Sequence, residues 1–144
     1  MIGAFVGSFN PITYAHLLIA QGIVNTTGIS KVVFVPVSDH YEKNSLQVDC
    51  EDRVAMISLA IEGNPSLEVN TLEIDIAVQT GYQNKTIETL QLLSEQYQEE
   101  IALIVGADNV LSLHKWYRAE ELAKTYPFLV IPRDGLDLKK EIQA

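Results

Sequence analysis

Cysteine is almost absent: of 144 residues, one, Cys50, carries a thiol. A lone cysteine closes no internal disulfide, so a disulfide scaffold is excluded and a reducing compartment, the cytoplasm, is expected. No CxxC partner and no activating base stand near it in sequence, so Cys50 reads as structural rather than reactive. Long hydrophobic runs are lacking too. No apolar stretch approaches the roughly 20 residues that a membrane-spanning helix needs. No basic segment precedes the apolar Met1-Ile2-Gly3-Ala4-Phe5-Val6-Gly7, which argues against a secretory leader. Positive charge is scarce: ten Lys plus Arg face nineteen Asp plus Glu, a net charge of -9. A field of that sign opposes nonspecific binding to nucleic acid or anionic membrane. Any phosphate site must therefore be built locally, from backbone N–H groups, a few converging cations and a divalent metal. The first loop has no GxGxxG, which speaks against a dehydrogenase. No Ser-His-Asp or Cys-His arrangement offers a nucleophile, and there is no internal repeat, low-complexity segment or linker.

What is present suits one globular domain over residues 1–144, with 47% hydrophobic residues. Residues 2–7 (IGAFVG) and 31–36 (KVVFVP) are short runs rich in Val and Phe that end in Gly or Pro, and read as buried parallel strands. Between them Leu17, Leu18, Ala20 and Ile23 predict a helix over Tyr14–Val24, completing a right-handed βαβ unit. Asp49 and Asp52 mark a second helix start, with Val54, Ile57, Ala60 and Ile61 as its apolar stripe up to Gly63-Asn64-Pro65. Alternation from Leu67 to Thr71 predicts a strand over 67–76 (LEVNTLEIDI) with one wetter face, near a sheet edge. A helix over Thr86–Tyr97 follows, then strands 101–105 (IALIV, ending at Gly106) and 128–131 (FLVI, ending at Pro132). Short helices over Asp108–Leu113 and Ala119–Lys124 lie between them. Alternating strands and helices predict a three-layer α/β/α Rossmann-like sandwich with a mostly parallel sheet. The one long irregular stretch, 37–48, is a candidate functional loop.

In such sheets ligands bind beyond the carboxyl ends of the strands. Those ends are Gly7-Ser8-Phe9-Asn10, Pro36-Val37-Ser38, Gly106-Ala107-Asp108-Asn109 and Pro132-Arg133-Asp134, so the site is expected along that edge. The first is the most informative. Gly7 permits a tight exit from the strand, and the loop amides can face a phosphate. Thr13 can cap the next helix, whose N-terminus favours negative charge. His16, three residues on, shares a helix face with Thr13 and would project back toward the same anion. Taken alone, the pair equally suits a capping threonine and a histidine satisfied in the core.

The stretch Gly7-Ser8-Phe9-Asn10-Pro11-Ile12-Thr13-Tyr14-Ala15-His16 resembles the T/HxGH signature of the nucleotidyltransferase superfamily. Its GSFNPIT form is similar to the nicotinamide/nicotinate mononucleotide adenylyltransferases. The resemblance implies that His16 contacts ATP phosphates, that Thr13 stands for the first signature residue, and that the loop amides around Ser8 and Phe9 hold the mononucleotide phosphate. Ala15 replaces the usual Gly, and its methyl would narrow the approach of adenosine. Gly106-Ala107-Asp108-Asn109 resembles the family element in which Asp108 and its neighbours contact ATP ribose or phosphate; an Asp capping a short helix is compatible with that role. Trp116, with Tyr117 and Arg118, resembles the segment whose indole stacks on the pyridine ring. Arg133 matches an Arg that contacts the nucleotide or braces its loop. Lys43, beside His40, resembles a loop lysine that reaches the phosphates; a plain surface lysine is the alternative. Arg53 resembles a family Arg, or forms a structural ion pair. Tyr82 with Thr86 resembles the stretch that recognises the base, where a Thr side chain or a backbone amide meets its carboxylate or carboxamide.

The implied reaction joins ATP and a pyridine mononucleotide into the NAD-type dinucleotide, with release of pyrophosphate, a step of NAD biosynthesis. Positioning and charge neutralisation would carry it, through His16, Lys43, the helix N-terminus after Thr13 and a Mg²⁺ ion bound mainly through ATP phosphates. Two other readings stand beside it: another T/HxGH transferase, such as a pantetheine-phosphate or cytidylyl transferase, and a noncatalytic nucleotide-binding module of the same fold. The family's Ser-[Ser/Thr]-x-x-Arg motif, at the start of a late helix, has no match here. The expectation is a missing C-terminal helical part, through truncation, contacts supplied by another subunit, or lost catalysis. One sheet face should then expose apolar surface and favour a homo-oligomer.

Overall fold

The computed structural model of the chain describes residues 1–7, 9, 12–37, 50–80, 85–106, 118–131 and 142–143. Strand β1 (Ile2–Gly7) lies at the centre of a sheet, parallel to β2 (Lys31–Pro36) on one side and to β4 (Ile101–Gly106) on the other. Strand β3 (Leu67–Val69) pairs in parallel outside β2, and β5 (Phe128–Ile131) outside β4. A two-residue antiparallel strand, β6 (Ile142–Gln143), closes the order β3-β2-β1-β4-β5-β6. The helices among the described residues are α1 (Tyr14–Thr26), α2 (Cys50–Ile61), α3 (Leu72–Thr80), α4 (Thr86–Tyr97) and α5 (Ala119–Thr125).

The alternation of side chains along a strand sorts the core into two layers. Val32 and Phe34 of β2 face one way, joining Ala20 and Ile23 of α1 and Ile57 and Ile61 of α2. Val33 and Val35 face the other way, against Ile87, Leu90 and Leu93 of α4 and Leu122 of α5. All four β2 residues are fully buried, which is why KVVFVP reads as one continuous apolar run. Gly3 lets the first layer close down: a Cβ there would sit 2.8 Å from Ile104 Cδ1 and 3.3 Å from Ile29 Cγ2.

Two expectations are corrected. The strand predicted over 67–76 ends at Val69, and the remainder is helix. Asn70 Oδ1 accepts the N–H of Leu72 at 2.9 Å, and the Thr71 carbonyl accepts that of Asp75 at 2.9 Å, so an Asx turn stops the ladder and starts α3. The edge position held: β3 lies at one end of the sheet. The second correction concerns the exposed apolar sheet face. Ala102, Ile104, Leu129 and Ile131 are all buried in the α1–α2 layer. Among the described residues the large exposed apolar side chains sit mostly on helices instead, with Tyr14, Leu59 and Val78 the most exposed. No helix among the described residues is long and apolar enough to cross a membrane.

Candidate active site

The parallel register aligns the strand exits. Gly7 lies opposite Pro36, and Gly106 opposite Ile131. The pairing of Ile2 with Ile101 through Phe5 with Ile104, continued two residues, brings Gly7 level with Gly106. The chain leaves β1 toward β2 but enters β4 on the opposite side, so β1 and β4 flank the topological switch point, the place where open α/β sheets bind their ligands. Val37 donates its N–H to the Gly7 carbonyl at 2.9 Å, tying the exit of β2 to that of β1.

Helix α1 begins at this edge. Thr13 is its N-cap, in extended geometry with φ -119° and ψ 167°. The Thr13 N–H donates to His16 Nδ1 at 2.9 Å, and Thr13 Oγ1 lies 3.0 Å from the same nitrogen. An Nδ1 that accepts an N–H keeps its lone pair, so the ring proton belongs on Nε2. Half-burial of the ring also pushes its pKa below the ordinary value. His16 is thus suited to be a neutral N–H donor, where the sequence suggested a source of positive field. The first turn of α1 carries no acidic side chain, whereas those of α2 to α5 all do. The positive end of the α1 dipole is therefore left uncompensated by the helix itself.

Phe9, between β1 and α1, is anchored by its ring. Its backbone has φ 47°, a left-handed conformation that costs a non-glycine residue about 1–3 kcal/mol. Burial of the ring offsets that cost. Phe9 is 4% exposed and meets Phe5, Phe34 and His16 edge-to-face, at centroid distances of 5.4, 5.3 and 5.3 Å. The site of a Gly7 Cβ would be 3.5 Å from the ring tip. The Phe9 side chain belongs to the core, so its contribution to a ligand reduces to its backbone.

Thr86 opens α4 and is half-buried; beneath it, the Lys85 N–H is taken by Glu88 Oε1 at 3.0 Å. Gly106 ends β4, and no described atom lies within 4 Å of where its Cβ would be. Arg53 is 3% exposed, and its Nη2 donates to the Val37 carbonyl at 2.9 Å, bracing the exit of β2 from the second turn of α2. Ser8, Asn10, Lys43, Tyr82, Asp108, Trp116 and Arg133 lie outside the described residues, as do His40 and the predicted helix 108–113. Among the described residues no group of three or more His, Cys, Asp or Glu side chains is placed to hold a metal ion.

One buried group was not singled out by the sequence. Glu73, on α3, is 2% exposed; Thr89 of α4 donates to its Oε2 at 2.9 Å, and Oε1 has no hydrogen-bond partner among the described residues. Burial pushes its pKa up to about 7, against the lesser opposing effect of the Thr89 hydrogen bond. Reading LEIDI as a strand hid this residue, because only the helix α3 brings Glu73 against Thr89 of α4.

A parallel α/β sheet with a capped helix N-terminus at its switch point defines a nucleotide-binding class, and residues 4–143 match the cytidylyltransferase-like family. The chain is 38% identical over 144 residues to a probable nicotinate-nucleotide adenylyltransferase of Caldicellulosiruptor bescii, covering 99% of this chain and 71% of that protein. It is also 38% identical over 133 residues to the corresponding protein of Caldicellulosiruptor saccharolyticus, covering 92% of this chain and 65% of that one. Its fold is that of a Plasmodium falciparum nicotinic acid mononucleotide adenylyltransferase solved with NaAD. The TM-score is 0.76 at 21% identity, over 97% of this chain and 70% of that one. The chain belongs to the nicotinate-nucleotide adenylyltransferase family of nucleotidyltransferases, and spans about two thirds of the length of these relatives.

Proposed function

We propose that this chain, as a single nucleotidyltransferase domain over residues 1–144, transfers the adenylyl group of ATP to the phosphate of nicotinate mononucleotide. A phosphate oxygen of the mononucleotide forms a bond to the α-phosphorus of ATP. The bond from that phosphorus to the bridging oxygen breaks, and pyrophosphate leaves. The observation that carries the reading is the Thr13–His16 pair at the N-terminus of α1, set where β1 and β4 part. That arrangement presents an uncompensated helix N-terminus and one neutral N–H to an anion. The names of the relatives favour nicotinate over nicotinamide as the base.

Both reactants are polyanions, so the work of the site is to align them and reduce their repulsion. Gly7 and the backbone of Phe9 shape the phosphate-binding turn, and Nε2–H of His16 donates to an ATP phosphate oxygen. Thr86, at the start of α4, faces the pyridine carboxyl. A Mg²⁺ ion, bound mainly through ATP phosphates, would supply further charge neutralisation; such a site needs no carboxylate cage. We place Lys43 and Arg133 on the phosphates, Trp116 and Tyr82 at the pyridine, and Asp108 at the ATP ribose, in keeping with the family resemblance. The single cysteine fits a cytoplasmic setting.

The test is pyrophosphate release from ATP and Mg²⁺ by this chain, with nicotinate and nicotinamide mononucleotides in separate reactions. Faster turnover of the nicotinate substrate is expected. Saturable mononucleotide binding without turnover would instead establish the noncatalytic nucleotide-binding reading.

A further inference from the structure

We propose that Glu73, through its hydrogen bond with Thr89, is a positioning residue that fixes where α4 presents Thr86 to the pyridine carboxyl of the mononucleotide. The inference rests on the reading of Thr86 given above.

Glu73 and Thr89 are 2% and 0% exposed, and the 2.9 Å bond between them joins α3 to α4 inside the protein. As a device for stability it is a poor one. One carboxyl oxygen is buried without a partner among the described residues, and an apolar pair of similar shape would serve folding as well or better. What a hydrogen bond supplies and an apolar contact does not is direction. Leu90 and Leu93 hold α4 on the sheet through nondirectional contact, and the Glu73–Thr89 bond adds a directional tie.

The placement of the bond gives it a functional sense. Thr89 lies three residues after Thr86, one turn along the same helix face. A displacement of α4 at Thr89 is therefore carried to Thr86 almost unchanged. The other end of α4 has its own polar tie: Asn70 Nδ2 donates to Tyr97 Oη and to Gln96 Oε1, both at 3.2 Å, and the Tyr97 hydroxyl bonds Glu68. Helix α4 is thus pinned twice, once far from the candidate site and once directly beneath Thr86. Burial holds the Glu73 carboxyl up to about 7, so a large share is the neutral acid near neutrality, the form that glutamine imitates.

The test compares Glu73→Gln, Glu73→Leu, Thr89→Val, Tyr97→Phe and Thr86→Val in steady-state kinetics with nicotinate mononucleotide varied at saturating ATP. Glu73→Leu and Thr89→Val are expected to raise the mononucleotide KM about tenfold or more with kcat within about threefold, as when a contacting group is displaced. Glu73→Gln should stay within about twofold of wild type, because its amide oxygen still accepts the Thr89 hydroxyl. Tyr97→Phe should lower thermal stability and leave KM unchanged, which a merely structural role for Glu73 would not separate. If Glu73→Leu does not fold, Thr89→Val carries the comparison. A normal KM in Thr89→Val while Thr86→Val raises it would overturn the positioning role alone. A normal KM in Thr86→Val would overturn the reading of Thr86 itself, and the inference with it.

Discussion

The backbone N–H of Thr13 meets Nδ1 of His16 at 2.9 Å, and this one bond assigns the histidine its proton. With Nδ1 occupied, Nε2–H is the group left for an ATP phosphate oxygen. His16→Ala should lower turnover by about 10²-fold or more, the scale of a lost transition-state donor. Stability should fall by about 1–3 kcal/mol, from the lost hydrogen bond and the lost edge contacts with Phe5 and Phe9. Pyrophosphate release and urea unfolding measure the two effects, and near-normal turnover would remove His16 from the mechanism.

The same bond predicts the protonation state. Burial beside Phe5 and Phe9 lowers the His16 pKa below 6.5, and a protonated Nδ1 could not accept the Thr13 N–H. Between the folded and unfolded pKa values the unfolded chain binds a proton that the folded chain refuses. The stability and activity that depend on the neutral ring are therefore present above 6.5 and decline as pH falls through the lower folded value. Nitrogen-15 shifts of His16 should show a neutral Nε2–H tautomer at pH 7 that persists below pH 6.5. A midpoint at or above 6.5 would sink the assignment.

Phe9 accepts a left-handed backbone because its ring is locked among Phe5, Phe34 and His16. Phe9→Ala should cost about 3–5 kcal/mol in urea unfolding, the range for a buried aromatic cut to alanine. Affinity for the mononucleotide, measured by calorimetry, should weaken as well, since the ring contacts that anchor the Phe9 backbone would be lost. A loss under about 1 kcal/mol would mean that the ring does not anchor this loop.

These features were unequally legible in the sequence. IGAFVG, KVVFVP and FLVI could be read as strands because a strand buried on both faces leaves an unbroken apolar run, and all of them proved to be parallel. Thr13 and His16 could be paired because their spacing is local. The turn at Asn70 was missed, since LEVNT alternates convincingly until side-chain hydrogen bonds from Asn70 and Thr71 take over. Glu73–Thr89 was invisible for a different reason. Sixteen residues and a helix–helix contact separate them, and no periodicity reports a pairing that only tertiary packing creates. Nor could the sequence say that His16 is neutral, because that follows from where the Thr13 N–H points.

Glu73 makes a stability prediction independent of any substrate. Its pKa rises from 4.5 in the unfolded chain to about 7 in the folded one. Between those values the folded protein holds a proton that the unfolded chain has released, so stability declines as pH rises across the interval and levels off above it. At 1.36 kcal/mol per unit, the decline attributable to this group is on the order of 3 kcal/mol. Glu73→Gln cannot ionise and should lack that component. Its amide nitrogen, left beside the position of Oε1, adds a fixed cost at every pH, so the informative quantity is the difference between pH 5 and pH 8 rather than either value alone. Lys85, Glu88 and the other titrating groups are common to both proteins and cancel in the comparison. Urea unfolding at the two pH values should show wild type losing about 2–3 kcal/mol more than the variant on going from pH 5 to pH 8. Equal losses would mean that Glu73 is ionised in the folded protein across the whole range, and that its carboxylate has found a partner strong enough to repay its burial.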